Sequence, residues 1–150
     1  MAVQFDASLL RRGERSDESW LFNLFKSTMQ DYIDAAWGWE ELLQKEGFVT
    51  SLPARGFQVL QQGAENIACI HLTDKADHLL LDMILVEPLQ QRRGHGSHLM
   101  DWAKRKAQET ERRIMLSVLK SNPAVLFHQR HGFETVEEDQ HSLKMQWTPP

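Results

Sequence analysis

Gln91, Gly94 and Gly96 stand in the stretch Val86-Glu-Pro-Leu-Gln-Gln-Arg-Arg-Gly-His-Gly-Ser97. An apolar run, residues 79–86, enters this stretch, and an amphipathic run, 98–108, leaves it. Strand, glycine-containing loop and helix N-terminus in that order aim several backbone N–H groups and the positive end of a helix dipole at one spot, which suits a phosphate group. A side chain at Gly94 or Gly96 would hold the phosphate away from the backbone. Two other phosphate loops do not fit. A Walker A loop needs a Lys after its last glycine, and Ser97 follows Gly96. A dinucleotide fingerprint needs three glycines, and two stand here.

A second stretch carries its own punctuation. Ile114-Met-Leu-Ser-Val-Leu-Lys-Ser-Asn122 reads as a buried strand, and Pro123 is placed for the first turn of a helix. Val125-Leu-Phe-His-Gln-Arg-His131 continues that short helix, Gly132 ends it, and Phe133 starts another strand.

The order Gln91-x-x-Gly94-x-Gly96 resembles the acetyl-CoA pyrophosphate loop of the GNAT superfamily of N-acetyltransferases. Ser121, Asn122, Ala124, Gly132 and Phe133 resemble the superfamily's next motif, in the right order. Residues 79–133 carry these motifs. Met29 through Glu40, Val118 through Ala124 and His141 through Met145 are similar to a bacterial GNAT subgroup with a Trp-Gly-Trp-acidic motif. The resemblance implies an α/β (α+β) fold with a mixed sheet of about seven strands, four flanking helices and a splayed cleft between the two middle strands. It also implies acetyl transfer from acetyl-CoA to a primary amine of a small molecule, peptide or protein. The acetyl group would pass directly in a ternary complex. A non-catalytic module that binds or senses acyl-CoA is the rival reading.

Carried over residue by residue, the resemblance gives Ile84 and Val86 backbone groups that hold the pantetheine arm as an added strand. An amide near Ile84 would also stabilise the oxyanion, an effect worth about 3–4 kcal/mol when well aimed. Gln91, Arg92, Arg93, Gly94, His95, Gly96 and Ser97 would wrap the pyrophosphate. The arginine side chains either reach the nucleotide phosphates or lie solvated. Asn122 either bonds the pantetheine or caps the helix after it. Where the superfamily usually carries a Tyr that protonates the departing thiolate, this chain has His128; a histidine titrating near neutrality can serve as that acid. Asp82 is the one carboxylate in 79–86 and shares a face with Ile84, which makes it the candidate base, directly or through water. Some relatives place a Glu where this chain has Ser117, which cannot act as a base at neutral pH.

Tyr32, Trp37, Trp39 and Glu40 form the candidate acceptor site, because aromatic faces and carboxylates suit a cationic amine. His141 would face the same area in the superfamily. The plainer reading makes Trp37 core, Trp39 a groove filler, and Glu40 and Glu41 residues of a helix start.

Composition suits a single domain spanning 1–150. The chain has 150 residues, 41% of them hydrophobic, and a net charge of −4, which offers no basic stripe for nucleic acid. No apolar run approaches the roughly 18 residues of a membrane span, and the N-terminus has no signal-peptide pattern. Cys69 is the single cysteine and falls in an alternating strand, so it reads as a core filler, and a cytoplasmic home is the default expectation. No metal is expected, since neither histidine pair, His95 with His98 nor His128 with His131, has a third ligand at a matching spacing. Lys104-Arg-Lys106 reads as a solvated helix end. A homodimer is left open.

The elements that must position these residues follow from periodicity. Residues 2–10 are an edge-strand candidate. A helix capped by Ser16 or Asp17 carries apolar residues at helical spacing to Trp37, where Gly38 interrupts it. Residues 39–46 form a second helix, stopped by Gly47. Residues 56–62 and 65–72 pair as a hairpin, 78–86 form the strand before the loop, and 133–138 with 142–147 close the sheet.

Overall fold

Residues 10–150 are described by a computed structural model, and most of the expected edge strand at 2–10 lies outside them. Three residues are seen as β1 (Leu10–Arg12). The alternating apolar residues of β2 (Phe57–Gln62) and β3 (Glu65–Asp74) pair antiparallel from Phe57 with His71 to Gln62 with Glu65. Gly63, at φ +58°, supplies the left-handed residue of their tight turn. In β4 (His78–Val86), Leu79, Leu81 and Leu85 are buried, while Leu80, Asp82, Ile84 and Val86 take the other face.

Four α-helices are formed among the described residues: α1 (Glu18–Trp37), α2 (Glu41–Ser51), α3 (His95–Glu109) and α4 (Ala124–Arg130). With β5 (Arg113–Leu119), β6 (Glu134–Glu138) and β7 (Ser142–Trp147), the seven strands lie in the order β1-β2-β3-β4-β5-β7-β6. The sheet is mixed. β4 and β5 are parallel, paired from His78 with Arg113 to Leu80 with Met115. The pairs β1 with β2, β2 with β3, β5 with β7 and β6 with β7 are antiparallel. The register of β4 with β5 ends at Leu80 and Met115, whereas β4 runs on to Val86 and β5 to Leu119.

The chain divides into two compact units, Met1–His71 with Met83–Leu99, and Leu72–Asp82 with Met100–Pro150. The first unit is built on Leu21, Leu24, Phe48, Phe57, Val59, Leu60, Ile67 and Ile70, all buried. Its polar anchor is Asp17, which accepts 2.8 Å hydrogen bonds from both terminal nitrogens of Arg11 and one from the Glu14 N–H. The Arg11 guanidinium holds the Asp17 carboxyl below the usual carboxylate range. The second unit buries Ile114, Leu116, Val118, Phe133 and Met145.

Packing explains two of the boundaries that differ from the periodicity. α2 runs through Gly47 to Ser51, because Phe48 is buried against Phe22 and Phe25 and that packing outweighs the roughly 1 kcal/mol cost of a helical glycine. α3 starts at His95, three residues before the amphipathic run, because His95 is itself buried.

Candidate functional site

The glycine-containing loop begins where β4 ends. Pro88–Gln90 forms a short 3-10 turn, Arg92 and Gly94 adopt left-handed φ of 65° and 86°, and α3 follows at once. The His98 N–H bonds the Gly94 carbonyl at 3.1 Å, which makes Gly94 the cap of α3. His95, Gly96 and Ser97 thus form the first helical turn, where N–H groups have no carbonyl one turn earlier within the helix. The loop is shorter than the sequence implied, and Gly96 is a helix residue. A Cβ added at Gly94 would meet no atom within 4 Å, so that position opens outward beside the left-handed backbone. Concave backbone of this kind, with a helix N-terminus behind it, suits an anion.

Gln91, Arg92 and Arg93 are exposed. The Gln91 side chain folds back to donate to the Val86 carbonyl at 3.1 Å, and Arg93 donates to Gln90 at 3.2 Å. Burial pushes the His95 imidazole below its ordinary value, with His98 and Arg93 adding repulsion.

Glu87 carries no motif that would single it out in the sequence. Its N–H bonds the Ile67 carbonyl at 2.9 Å, its carbonyl accepts the Gln90 N–H at 2.8 Å, and its Oε1 accepts the Trp20 indole N–H at 2.7 Å. No sequence pattern pairs residues 67 positions apart, so this contact is not legible before the fold is known.

In the second unit, Asp82 accepts a 2.6 Å hydrogen bond from the Thr73 hydroxyl. The Asn122 carboxamide oxygen accepts the Ala124 N–H at 2.9 Å, so this side chain caps α4, the second of its two expected roles. His128 is only 5% exposed, packed between Phe127 and Phe133 with ring centroids at 5.5 and 5.8 Å. Its Nδ1 is buried without a hydrogen-bond partner among the described residues. Burial, with repulsion from His131, lowers its pKa to about 4. The expected near-neutral titration of His128 is thereby corrected: at physiological pH it is an uncharged imidazole. Ser117 is exposed and pairs across the sheet with Lys144.

The aromatic and acidic residues at the α1–α2 bend do not all turn outward. Trp39 packs on Phe25 at 5.9 Å, and its indole donates to Glu41 at 2.8 Å. Trp37, which the plainer reading placed in the core, is 62% exposed. Gly38, at φ +85°, turns the chain between these two tryptophans. Glu40 is exposed at the N-cap of α2, and Tyr32 is half-buried. His141 is half-buried in the β6–β7 turn, where Asp139 accepts its N–H at 2.9 Å. Lys104 is half-buried, donating to the His131 carbonyl and lying 5.0 Å over the Trp147 ring, while Arg105 and Lys106 are exposed.

Residues 53–135 match the family model described as an acetyltransferase (GNAT) domain, which is more than half of the chain. The chain belongs to the GNAT acetyltransferases. The fold of this GNAT protein is shared with that of the PaiA N-acetyltransferase from Thermoplasma acidophilum, solved in complex with coenzyme A. The TM-score is 0.74 at 15% identity, over 93% of this chain and 97% of that one. Ard1 from Thermoplasma volcanium gives a TM-score of 0.72 at 15% identity, over 94% and 97% of the two chains. The ribosomal-protein-S18-alanine N-acetyltransferase from Escherichia coli gives 0.71 at 18% identity, over 93% and 92%. No curated protein matches the chain. The matched segment 53–135 holds the loop, Asn122 and His128, whereas α1 and α2 lie outside it.

Proposed function

We propose that this GNAT protein transfers the acetyl group of acetyl-CoA to a primary amine, directly and within a ternary complex. The observation that carries the reading is the loop at Arg92–Ser97, with two left-handed residues, an outward-opening Gly94 and the first turn of α3 in succession. Arg92, Arg93, Gly94, His95, Gly96 and Ser97 would hold the pyrophosphate by their amides, with Gln91 fixing the loop's return to Val86. Ile84 and Val86 lie on the less buried face of β4, and their backbone would carry the pantetheine and polarise the thioester carbonyl. Asn122, its carboxamide oxygen committed to α4, would donate to the pantetheine through its amide nitrogen.

In the transfer, the amine nitrogen forms a bond to the acetyl carbon, the carbon–sulfur bond breaks, and the proton lost by the amine ends on the thiolate or in solvent. Asp82 is proposed to receive that proton, held in place by Thr73. His128 would contribute a hydrogen bond near the thiolate as a neutral ring, not a proton from an imidazolium. Direct transfer is supported by Cys69, the one thiol, which is wholly buried and whose pKa burial raises. The acceptor is proposed to be a cationic amine of a small molecule or peptide, bound by Tyr32, Trp37, Trp39, Glu40 and His141.

A non-catalytic acyl-CoA-binding role is the second reading, and the neutral, buried His128 is what favours it. Calorimetry with acetyl-CoA and CoA, followed by thiol release against a panel of amines and peptide N-termini, separates the two. Binding with amine-dependent thiol release supports the enzyme. Binding without release from any amine supports the second reading, and the absence of binding would overturn both.

A further inference from the structure

The loop is entered through Glu87, a residue bonded to three different parts of the chain. It uses its N–H on Ile67 of β3, its carbonyl on the Gln90 N–H, and its Oε1 on the Trp20 indole of α1. Directly before it, the Val86 carbonyl accepts the Gln91 side chain. Those four bonds tie the last residue of β4, the 3-10 turn and the first turn of α1 into one corner. Of them, only the indole–carboxylate bond joins the corner to a helix. It is short, at 2.7 Å, and both side chains are half-buried, which strengthens a charge-assisted bond relative to one in open solvent.

Beyond this corner the loop runs exposed from Gln91 to Gly94 before the buried His95 opens α3. Arg92 is a non-glycine residue at φ 65°, Gln91 to Gly94 are exposed, and the side-chain bond of Arg93 is to Gln90 inside the same turn. A conformation of this kind costs free energy and persists only where its surroundings impose it. We infer that the Trp20–Glu87 pair is a positioning device that holds the loop in its ligand-ready shape. It acts through the loop backbone and needs no contact with the ligand. The inference rests on the reading of that loop as the acetyl-CoA site.

What matters is then the hydrogen bond, and the negative charge only as far as it strengthens that bond. Glutamine at position 87 keeps an acceptor oxygen in the same place, whereas alanine at 87 or phenylalanine at 20 removes one side of the bond. Loss of a hydrogen bond to a charged group, felt in part by the ligand, corresponds to about a tenfold loss of affinity.

The test is calorimetry of CoA and acetyl-CoA with the wild-type chain, Glu87→Ala, Glu87→Gln, Trp20→Phe and Trp20→Phe/Glu87→Ala, with thermal melts confirming that each is folded. The expected result is about tenfold weaker binding in each single variant lacking the bond. The double variant should be no weaker than the worse single one, and Glu87→Gln should restore most of the affinity. Where an amine substrate supports turnover, KM for acetyl-CoA should rise with kcat little changed. Should Trp20→Phe fail to fold, the two Glu87 variants decide the matter alone. Unchanged affinity in Glu87→Ala would overturn the positioning role. Equal losses in Glu87→Gln and Glu87→Ala would overturn it too, by assigning the effect to charge. A wild-type chain that binds no CoA would overturn the reading of the loop, and with it the pair, which would have no ligand to position.

Discussion

His128→Phe should flatten the acid side of the protein's stability profile. The imidazole is 5% exposed between Phe127 and Phe133, its Nδ1 has no partner among the described residues, and its pKa is lowered to about 4. In the unfolded chain the same group returns to about 6.5. Between those values the unfolded state binds a proton that the folded state does not, so acid favours unfolding and stability rises with pH through this window. Above the unfolded value both states are neutral, and the group has no further effect. For one site, the two values give a loss of about 2 kcal/mol between pH 7 and pH 5, and about 3 kcal/mol by pH 4. Phenylalanine keeps a planar aromatic ring, larger than imidazole by about one CH group in the ring, sacrifices no Nδ1 hydrogen bond to a described residue and does not titrate. Urea unfolding followed by tryptophan fluorescence at pH 7, 6 and 5 would measure the difference. His95 and His131, also lowered by burial, titrate in both proteins and largely cancel in the comparison. The wild type should lose about 2 kcal/mol more than His128→Phe over this range. Parallel profiles for the two proteins would refute the claim that His128 is buried as a neutral ring, and would reopen its candidacy as a proton donor.

Gly94→Val places a β-branched residue at φ +86° and a side chain where the ligand would approach. It should cost about 1–2 kcal/mol of stability and abolish CoA binding by calorimetry. Gly47→Ala, in α2 with no atom within 4 Å of the added carbon, should instead gain about 0.5–1 kcal/mol by chemical denaturation. Asp17→Asn leaves Arg11 without its carboxylate and should lower the melting temperature, with a loss of about 2 kcal/mol. Asp82→Asn should lower kcat on a true substrate by about 10²-fold or more, and an unchanged rate would assign the proton transfer to water or another group.

Much of this GNAT fold was written in local pattern. The apolar run at 79–86, closed by Glu87-Pro88, marked the strand β4 at 78–86, and the burial of Leu79, Leu81 and Leu85 then shows which of its faces turns inward. Gly38, Gly63, Gly94 and Gly132 all carry the left-handed φ that their places after helices or in turns suggested, since only glycine adopts it at little cost. The order of strand, loop and helix, and with it the family, was legible from Gln91, Gly94, Gly96, Asn122, Gly132 and Phe133.

Tertiary packing decided the rest. Burial of Phe48 carries α2 past Gly47, and burial of His95 draws the start of α3 back to the residue after Gly94. The charge of His128 depends on Phe127, Phe133 and His131 around it, a property of its surroundings and not of its residue type. Asp17 stands at the N-cap of α1, as its place before the helix suggested, but its carboxylate is committed to Arg11, and Glu87, which no motif marks, bonds Trp20. Periodicity reports which face of an element is buried. It carries no information on which distant side chain meets that face, and the protonation of His128 and the bonding of Glu87 are set there.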